Sequence, residues 1–279
     1  MRVVPTLCVA IVLSATLSAA PALAGPALDR IRDSGILVGA TDPAWPPYSW
    51  REPIGEYAGF DVDVTREIAS RLGARAEFVT PPWEEQVAGQ WGDGWDVAVT
   101  EMTPTADRAA RLAFPAVYAY GFAALAVRTD DPLATVEEAS GRKIAVLEDT
   151  IFDMYLRHQD MGVQGSPPVT WRIENPEIIA YAVTGPNYLA LSEGRVDALI
   201  DDRVAIEGQI ARGRAIRIVG EPLFSAPAAV AIAQGDPELA AELARIVGEM
   251  RADGTLRDLS MRWFGFDASV PPALVTARK

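Results

Sequence analysis

Cysteine is nearly absent from this chain of 279 residues: Cys8 is the single thiol and His158 the single imidazole. Cys8 lies inside an N-terminal apolar run, after Thr6-Leu7, instead of closing it behind a small residue, so it reads as an ordinary leader residue and not as a lipid-attachment site. Once that leader is removed no cysteine is left, which excludes disulfides, thiolate chemistry and cysteine-based metal sites. His158 stands in a stretch read as helical, outside every motif below, and is expected at the surface. A nucleophile–base pair therefore finds little material. No His/Cys cluster has metal-ligand spacing, and neither a G-x-G-x-x-G nor a Walker-type loop occurs, so no metal and no cofactor is expected. Long apolar runs are missing too: the one from Val3 to Leu17 falls short of the roughly 20 residues that span a bilayer, and nothing later approaches that length without charges. Positive charge is scarce, with 25 Lys and Arg against 38 Asp and Glu, a net of −13 that becomes −14 without Arg2. Such a balance disfavours phosphate backbones and anionic membranes, and no nucleic-acid partner is expected.

What is present begins with a secretory leader. Arg2 supplies a short basic start, Val3 to Leu17 the apolar stretch, and Ala22-Leu23-Ala24 the small residues of a cleavage site, so residues 1–24 read as a signal peptide cut after Ala24. The mature chain is then a soluble, exported protein long enough to divide into two lobes. Leu28 to Ser34 reads as a short helix and Ile36 to Ala40 as a buried strand, followed by a Pro/aromatic loop from Asp42 to Trp50. Val64, Ile68, Ala69 and Leu72 recur at helical spacing between Val62 and Leu72, and Gly73 stands just past the end as a C′ residue should. Short strands at Arg75 to Val79, Val97 to Thr100, Lys143 to Leu147 and Ala198 to Ile200 alternate with helical segments, which argues for α/β architecture with mostly parallel sheets. Two further strand-like stretches, Gly121 to Val127 and Ala226 to Ala233, lie where the chain could cross between lobes.

Gly59-Phe60-Asp61-Val62-Asp63-Val64, continuing through Ile68-Ala69 to Leu72, is similar to the signature of the family 3 bacterial extracellular solute-binding proteins, the polar amino-acid binders of ABC transporters. The resemblance runs on through Pro46-Pro47-Tyr48, Thr103-Pro104-Thr105 with Arg108, Phe114 and Tyr118, then Gly194-Arg195-Val196-Asp197-Ala198 with Asp202, and Gly254-Thr255-Leu256 with Trp263-Phe264-Gly265. It implies a type II periplasmic binding protein, two α/β lobes with helices on both sheet faces, joined by a two-strand hinge and closing on a ligand. Lobe 1 would be 25–121 with 223–279, and lobe 2 the inserted 122–222. It also implies a periplasmic, monomeric protein whose partners are a small-molecule ligand and an inner-membrane ABC transporter permease.

The resemblance assigns roles as well. Arg108 and Thr103 would grip a ligand carboxylate, a task that suits a planar guanidinium, and Asp202 would accept the ligand ammonium. Trp45 and Trp83 would face the ligand side chain, Asp42 would reach its far end, and Thr150 with its neighbouring backbone amides would face the cleft. Each has a plainer reading: Arg108 paired with Asp107 or Glu101 on a surface helix, both Trp packed in the core, Asp42 forming an Asx-turn at Pro43, and Asp201 facing the cleft in place of Asp202. Trp50, Trp91, Trp95, Trp171 and Trp263 are assigned to packing.

Two places depart from the family pattern. Glu101 stands where relatives carry Gly or Ser, and would repel a ligand carboxylate unless it turns away or pairs with Arg108. Glu148-Asp149-Thr150-Ile151 replaces a Gly-Thr-Thr-like turn, with Asp149 a candidate helix cap. Asp42, Glu101, Glu148, Asp149 and Asp202 together would make the cleft acidic, which with the two Trp favours a cationic ligand such as arginine, lysine or a related ammonium compound. The alternatives are an enzyme, since a cyclohexadienyl dehydratase shares this fold and Glu101 could act as an acid if burial raised its pKa, or a protein that presents its ligand to a separate partner.

Overall fold

The computed structural model describes residues 27–272 apart from 93, 164, 165 and 167, so the leader expected over 1–24 lies outside the described residues. The chain starts with α1 (Ala27–Ser34) and β1 (Ile36–Ala40), then folds β2 (Ala44–Trp45), β3 (Ser49–Arg51) and β4 (Tyr57–Ala58) into a small antiparallel sheet of its own. It continues through α2 (Phe60–Arg71), β5 (Arg75–Val79), α3 (Trp83–Ala88), β6 (Val97–Ala98) and α4 (Ala106–Ala109) to the long strand β7 (Leu112–Arg128). There follow β8 (Lys143–Leu147), α5 (Ile151–Leu156), β9 (Glu177–Tyr181), α6 (Pro186–Ser192), β10 (Ala198–Asp202) and α7 (Arg203–Ala211). A second long strand, β11 (Ile216–Ala233), leads back to α8 (Pro237–Ala252) and α9 (Thr255–Phe264).

The main sheet runs β5-β1-β6-β11-β7-β10-β8-β9. β1 pairs in parallel with β5 and β6 on one side, and β8 pairs in parallel with β9 and β10 on the other. Between these halves β7 and β11 form one antiparallel ribbon, from Leu112 opposite Ala233 to Arg128 opposite Ile216, with a register shift between Val219 and Phe224. The apolar cores divide accordingly. One gathers α1, α2, α8, α9 and the first ends of the sheet; two others, around Tyr155 and Tyr188, lie within residues 123–226. Val204 and Ala205 of α7 are the exception, packing into the first core across the divide.

The helical spacing of α2 has the expected result, with Phe60, Val64 and Ile68 all sealed from solvent and Gly73 in the left-handed region at φ 76°. Its start depends on Gly59 at φ 131°, where a Cβ would stand 2.2 Å from the Tyr48 carbonyl oxygen. That close approach lets Phe60 and Asp61 donate their N–H groups to the carbonyls of Pro47 and Tyr48, so the helix end is satisfied by backbone. The β6 strand is shorter than the pattern predicts, because the chain leaves the sheet after Ala98 and turns at Glu101 with φ 50°. His158 also departs from its reading. α5 stops at Leu156, and His158, at φ 53°, stacks half-buried on Trp171 with ring centroids 5.1 Å apart and Nε2 2.8 Å from the Ile173 carbonyl. Among the described residues no helix is long and apolar enough to cross a membrane, and no group of three or more His, Cys, Asp or Glu is arranged to hold a metal.

Candidate functional site

Where the ribbon passes between the two halves of the sheet, a cleft of about 760 Å3, counting its mouth, opens beside Gly121. Asp42, Trp45, Trp83, Glu101, Thr103, Arg108, Thr150 and Asp202 all line it, as does Asp201. The structure thus brings these residues to one place, from the loop after β1, from α3, from the β6–α4 segment and from the ends of β8 and β10.

Arg108 is 4% exposed, which separates it from the surface-helix reading. Thr105 caps the short α4 by accepting the Arg108 N–H at 3.3 Å, and the fold of that turn sends the side chain inward. Its Nη1 donates to the Thr103 carbonyl at 3.0 Å and its Nη2 to the Asp149 carbonyl, across the cleft, at 2.7 Å. Trp83 lies under the guanidinium at 5.0 Å and donates its Nε1 to the same Asp149 carbonyl at 3.2 Å. The Trp83 ring expected to meet the ligand therefore carries Arg108 on one face. Burial lowers the Arg108 pKa to about 10 against the opposing pull of Asp149, so it is cationic at neutral pH. Asp107 pairs instead with Arg111, and among the described residues no ion pair joins Arg108 to Glu101.

Asp149 does not cap α5, contrary to one reading of its sequence. Thr150 does, accepting the Asp153 N–H at 3.3 Å and donating to the Leu147 carbonyl at 2.7 Å. Asp149 takes φ 58°, in the left-handed region that favours glycine, and its carbonyl accepts from Arg108 and Trp83. Glu148 and Asp149 line a neighbouring groove with Asp153 and Arg157, not the cleft, so two of the acids expected to colour the cleft lie outside it.

The floor is built from acids, backed by buried tyrosines. Asp202 caps α7: its Oδ1 accepts the Val204 N–H at 2.7 Å and the Tyr48 hydroxyl at 2.7 Å, and its Oδ2 accepts the Phe122 N–H at 2.9 Å. Asp201 accepts the Tyr188 hydroxyl at 2.7 Å, and burial raises its pKa to about 7 against the pull of those hydrogen bonds. The Tyr118 hydroxyl donates to Asp61 at 2.8 Å and accepts the Glu101 N–H at 2.8 Å. Burial, then the mutual repulsion of Asp61, Glu101 and Asp202, raises Asp61 and Glu101 well above the usual carboxylate range. Tyr48, Tyr118 and Asp61 are components that motif reading placed on the chain without a role; they are buried behind the lining, where they bond to Asp202 and Glu101 and support the floor from beneath.

At the rim, Asp42 forms the Asx-turn, accepting the Ala44 N–H at 2.7 Å, while still facing the cleft; burial raises its pKa. Trp45 stacks on Tyr48 with ring centroids 4.5 Å apart. Of the described residues that line the cleft, Arg108 is the only basic one. The arrangement offers a fixed cationic fork at one wall, aromatic faces at the rim and carboxyl groups at floor and mouth, which matches a small molecule bearing both an anionic and a cationic group.

Comparison with known proteins bears on this geometry. The model of the bacterial extracellular solute-binding proteins, family 3, matches residues 37–266. Among curated relatives, the L-cystine-binding protein TcyJ of Escherichia coli strain K12 is 25% identical over 245 residues, 87% of this chain and 87% of its own. The histidine-binding periplasmic protein of the same strain is 28% identical over 236 residues, 81% of this chain and 86% of its own. Among solved structures, the ancestral amino acid-binding protein AncCDT-1, a precursor of cyclohexadienyl dehydratase, superposes with a TM-score of 0.75 at 24% identity, over 85% of this chain and 99% of its own. That likeness establishes the fold as the two-lobed α/β type II architecture of periplasmic amino-acid-binding proteins, with the β7/β11 ribbon as its two-strand hinge.

Proposed function

Because the chain belongs to the family 3 bacterial extracellular solute-binding proteins, we propose that it captures a small amino acid with a cationic side chain between its lobes and delivers it to an inner-membrane ABC transporter permease. Lobe 1 is taken as 25–121 with 223–279 and lobe 2 as 122–222, and the protein acts as a monomer in the periplasm after removal of residues 1–24. The observation that carries the reading is the cleft itself, whose walls come from both lobes and whose charged groups lie in the order an amino acid needs. Arg108 with Thr103 and Thr150 takes the carboxylate, the acidic floor takes the ammonium, and Asp42 with Trp45 takes the side chain. The cationic preference rests on Asp42, Glu101, Asp201 and Asp202 facing a single basic residue in the lining. A second carboxylate on the ligand would meet like charge in a site that closure partly dries.

A thermal-shift screen followed by calorimetry with arginine, lysine, histidine, glutamine and glutamate tests the reading. A ligand that binds only the native state raises the melting temperature. Arginine, lysine or histidine is expected to bind tightest; tightest binding of glutamate overturns the charge argument. The reading is of a binding protein and not an enzyme, and incubation with prephenate or arogenate is expected to leave both unchanged.

A further inference from the structure

A count of acceptors on the cleft floor separates the two carboxylates that flank Gly121. A carboxylate offers about four lone-pair sites. Asp202 spends three of them on the protein: Tyr48, Val204 and Phe122 donate to it at 2.7 to 2.9 Å, and these bonds cap α7 and hold the rim loop. Glu101 is the reverse case. Its Oε1 is sealed from solvent without a hydrogen-bond partner, and its Oε2 lies 3.2 Å from the point where a Cβ on Gly121 would stand, the point that Asp202 Oδ2 approaches to 2.8 Å. Glycine at 121 keeps that spot open between the two acids. The backbone of Glu101, at φ 50°, is in the left-handed region and is fixed there by its N–H bond to Tyr118.

We propose that Glu101, in place of Asp202, is the principal acceptor for the ammonium of the bound amino acid, and so determines which head groups the cleft retains. This rests on the amino-acid-binding reading above. The groups that face Glu101 are Asp61 from α2, Tyr118 from β7, Asp202 from the end of β10 and Tyr48 from the rim loop; none of them can supply a compensating positive charge, and Arg108, the basic residue of the lining, makes no ion pair with Glu101 among the described residues. Glu101 therefore holds a proton well above the usual carboxylate range, first through burial and then through Asp61 and Asp202. When an ammonium arrives, the Glu101 carboxyl gives its proton to water and the resulting carboxylate accepts an N–H of the ligand, so capture of one cation releases up to one proton.

Calorimetry with L-arginine and L-glutamine, both of which carry the α-ammonium, tests this on the wild-type protein and on Glu101→Gln and Glu101→Gly. Runs at pH 6 in buffers of different ionisation enthalpy read the proton release. Both variants are expected to bind at least about 30-fold more weakly and to release less proton than wild type. Glu101→Gly, which removes a buried acid and suits the positive φ, is expected to melt no lower than wild type, separating a lost acceptor from a damaged fold. Binding by either variant within about threefold of wild type, or unchanged proton release by Glu101→Gln, overturns the proposal while leaving the binding function standing. Failure of the wild type to bind any amino acid overturns both.

Discussion

At the scale of single residues, the proposed function gives Arg108 two jobs with one guanidinium. Two of its five N–H groups are spent on the carbonyls of Thr103 and Asp149, and the others remain for a ligand carboxylate. Because Asp149 is across the cleft, Arg108 also ties the closed lobes together. Arg108→Ala is expected to weaken ligand binding by about 2–5 kcal/mol, the range for truncating one member of a buried charge pair. Calorimetry reads this directly; a loss under about 0.5 kcal/mol would return Arg108 to a structural role. Arg108→Lys keeps the charge but cannot form the fork, and should recover only part of the affinity.

At the scale of elements, α2 and the loop before it form one unit, because the helix N-terminus takes its hydrogen-bond acceptors from Pro47 and Tyr48. A Gly59→Ala protein has to push the Tyr48 backbone away from a Cβ placed 2.2 Å from its oxygen. A loss of about 3 kcal/mol or more is expected in urea unfolding, with weaker ligand binding because Trp45 and Tyr48 move with the loop. This unit was plainly legible in the sequence: glycine, the apolar period and Gly73 all agree on one helix. The hinge ribbon was less so. Its strand-like stretches begin at Gly121 and Ala226, whereas β7 starts at Leu112 and β11 at Ile216; Gly121 pairs opposite Ala226 and Pro227 opposite Tyr120, and Pro115 falls at the register shift between Val230 and Ile232. In the site, the motifs singled out Arg108, Thr103 and Asp202, which line the cleft, but could not say that Asp202 caps α7 or that Thr150, not Asp149, caps α5. The second outcome goes with the backbone of Asp149, which is held in the left-handed region at φ 58° just before the cap. Composition suggested an acidic cleft, and the structure keeps Asp42, Glu101 and Asp202 in it while moving Glu148 and Asp149 to the adjoining groove.

At the scale of the whole molecule, the lobes meet through direct contacts: Arg108 and Trp83 to the Asp149 carbonyl, Tyr48 to Asp202, and the Ala106 N–H to the Met161 carbonyl at 3.0 Å. On the proposed reading, opening would break these contacts and turn the lobes about the ribbon near Gly121 and the Val219/Phe224 shift. Solution scattering is expected to show a smaller radius of gyration on saturation with ligand; an unchanged radius would count against closure by binding. The floor acids also set the pH response. Asp61, Glu101, Asp201 and Asp202 all have raised pKa values when folded, with Asp201 at about 7. Between the ordinary carboxylate range and these raised values the folded state holds protons that the unfolded chain has released, so stability falls as pH rises through that window. Scanning calorimetry of the ligand-free protein should give a higher melting temperature at pH 5.5 than at pH 8. The stabilisation added by a cationic ligand should run the other way and be larger at pH 8. The path of the chain also fixes an order of events at its birth. The first core needs Leu239, Leu243, Ile246 and Leu256 from α8 and α9, which are synthesised last, whereas the cores within 123–226 are made from one uninterrupted stretch. The segment made first can therefore complete its core only when almost the entire polypeptide has been synthesised.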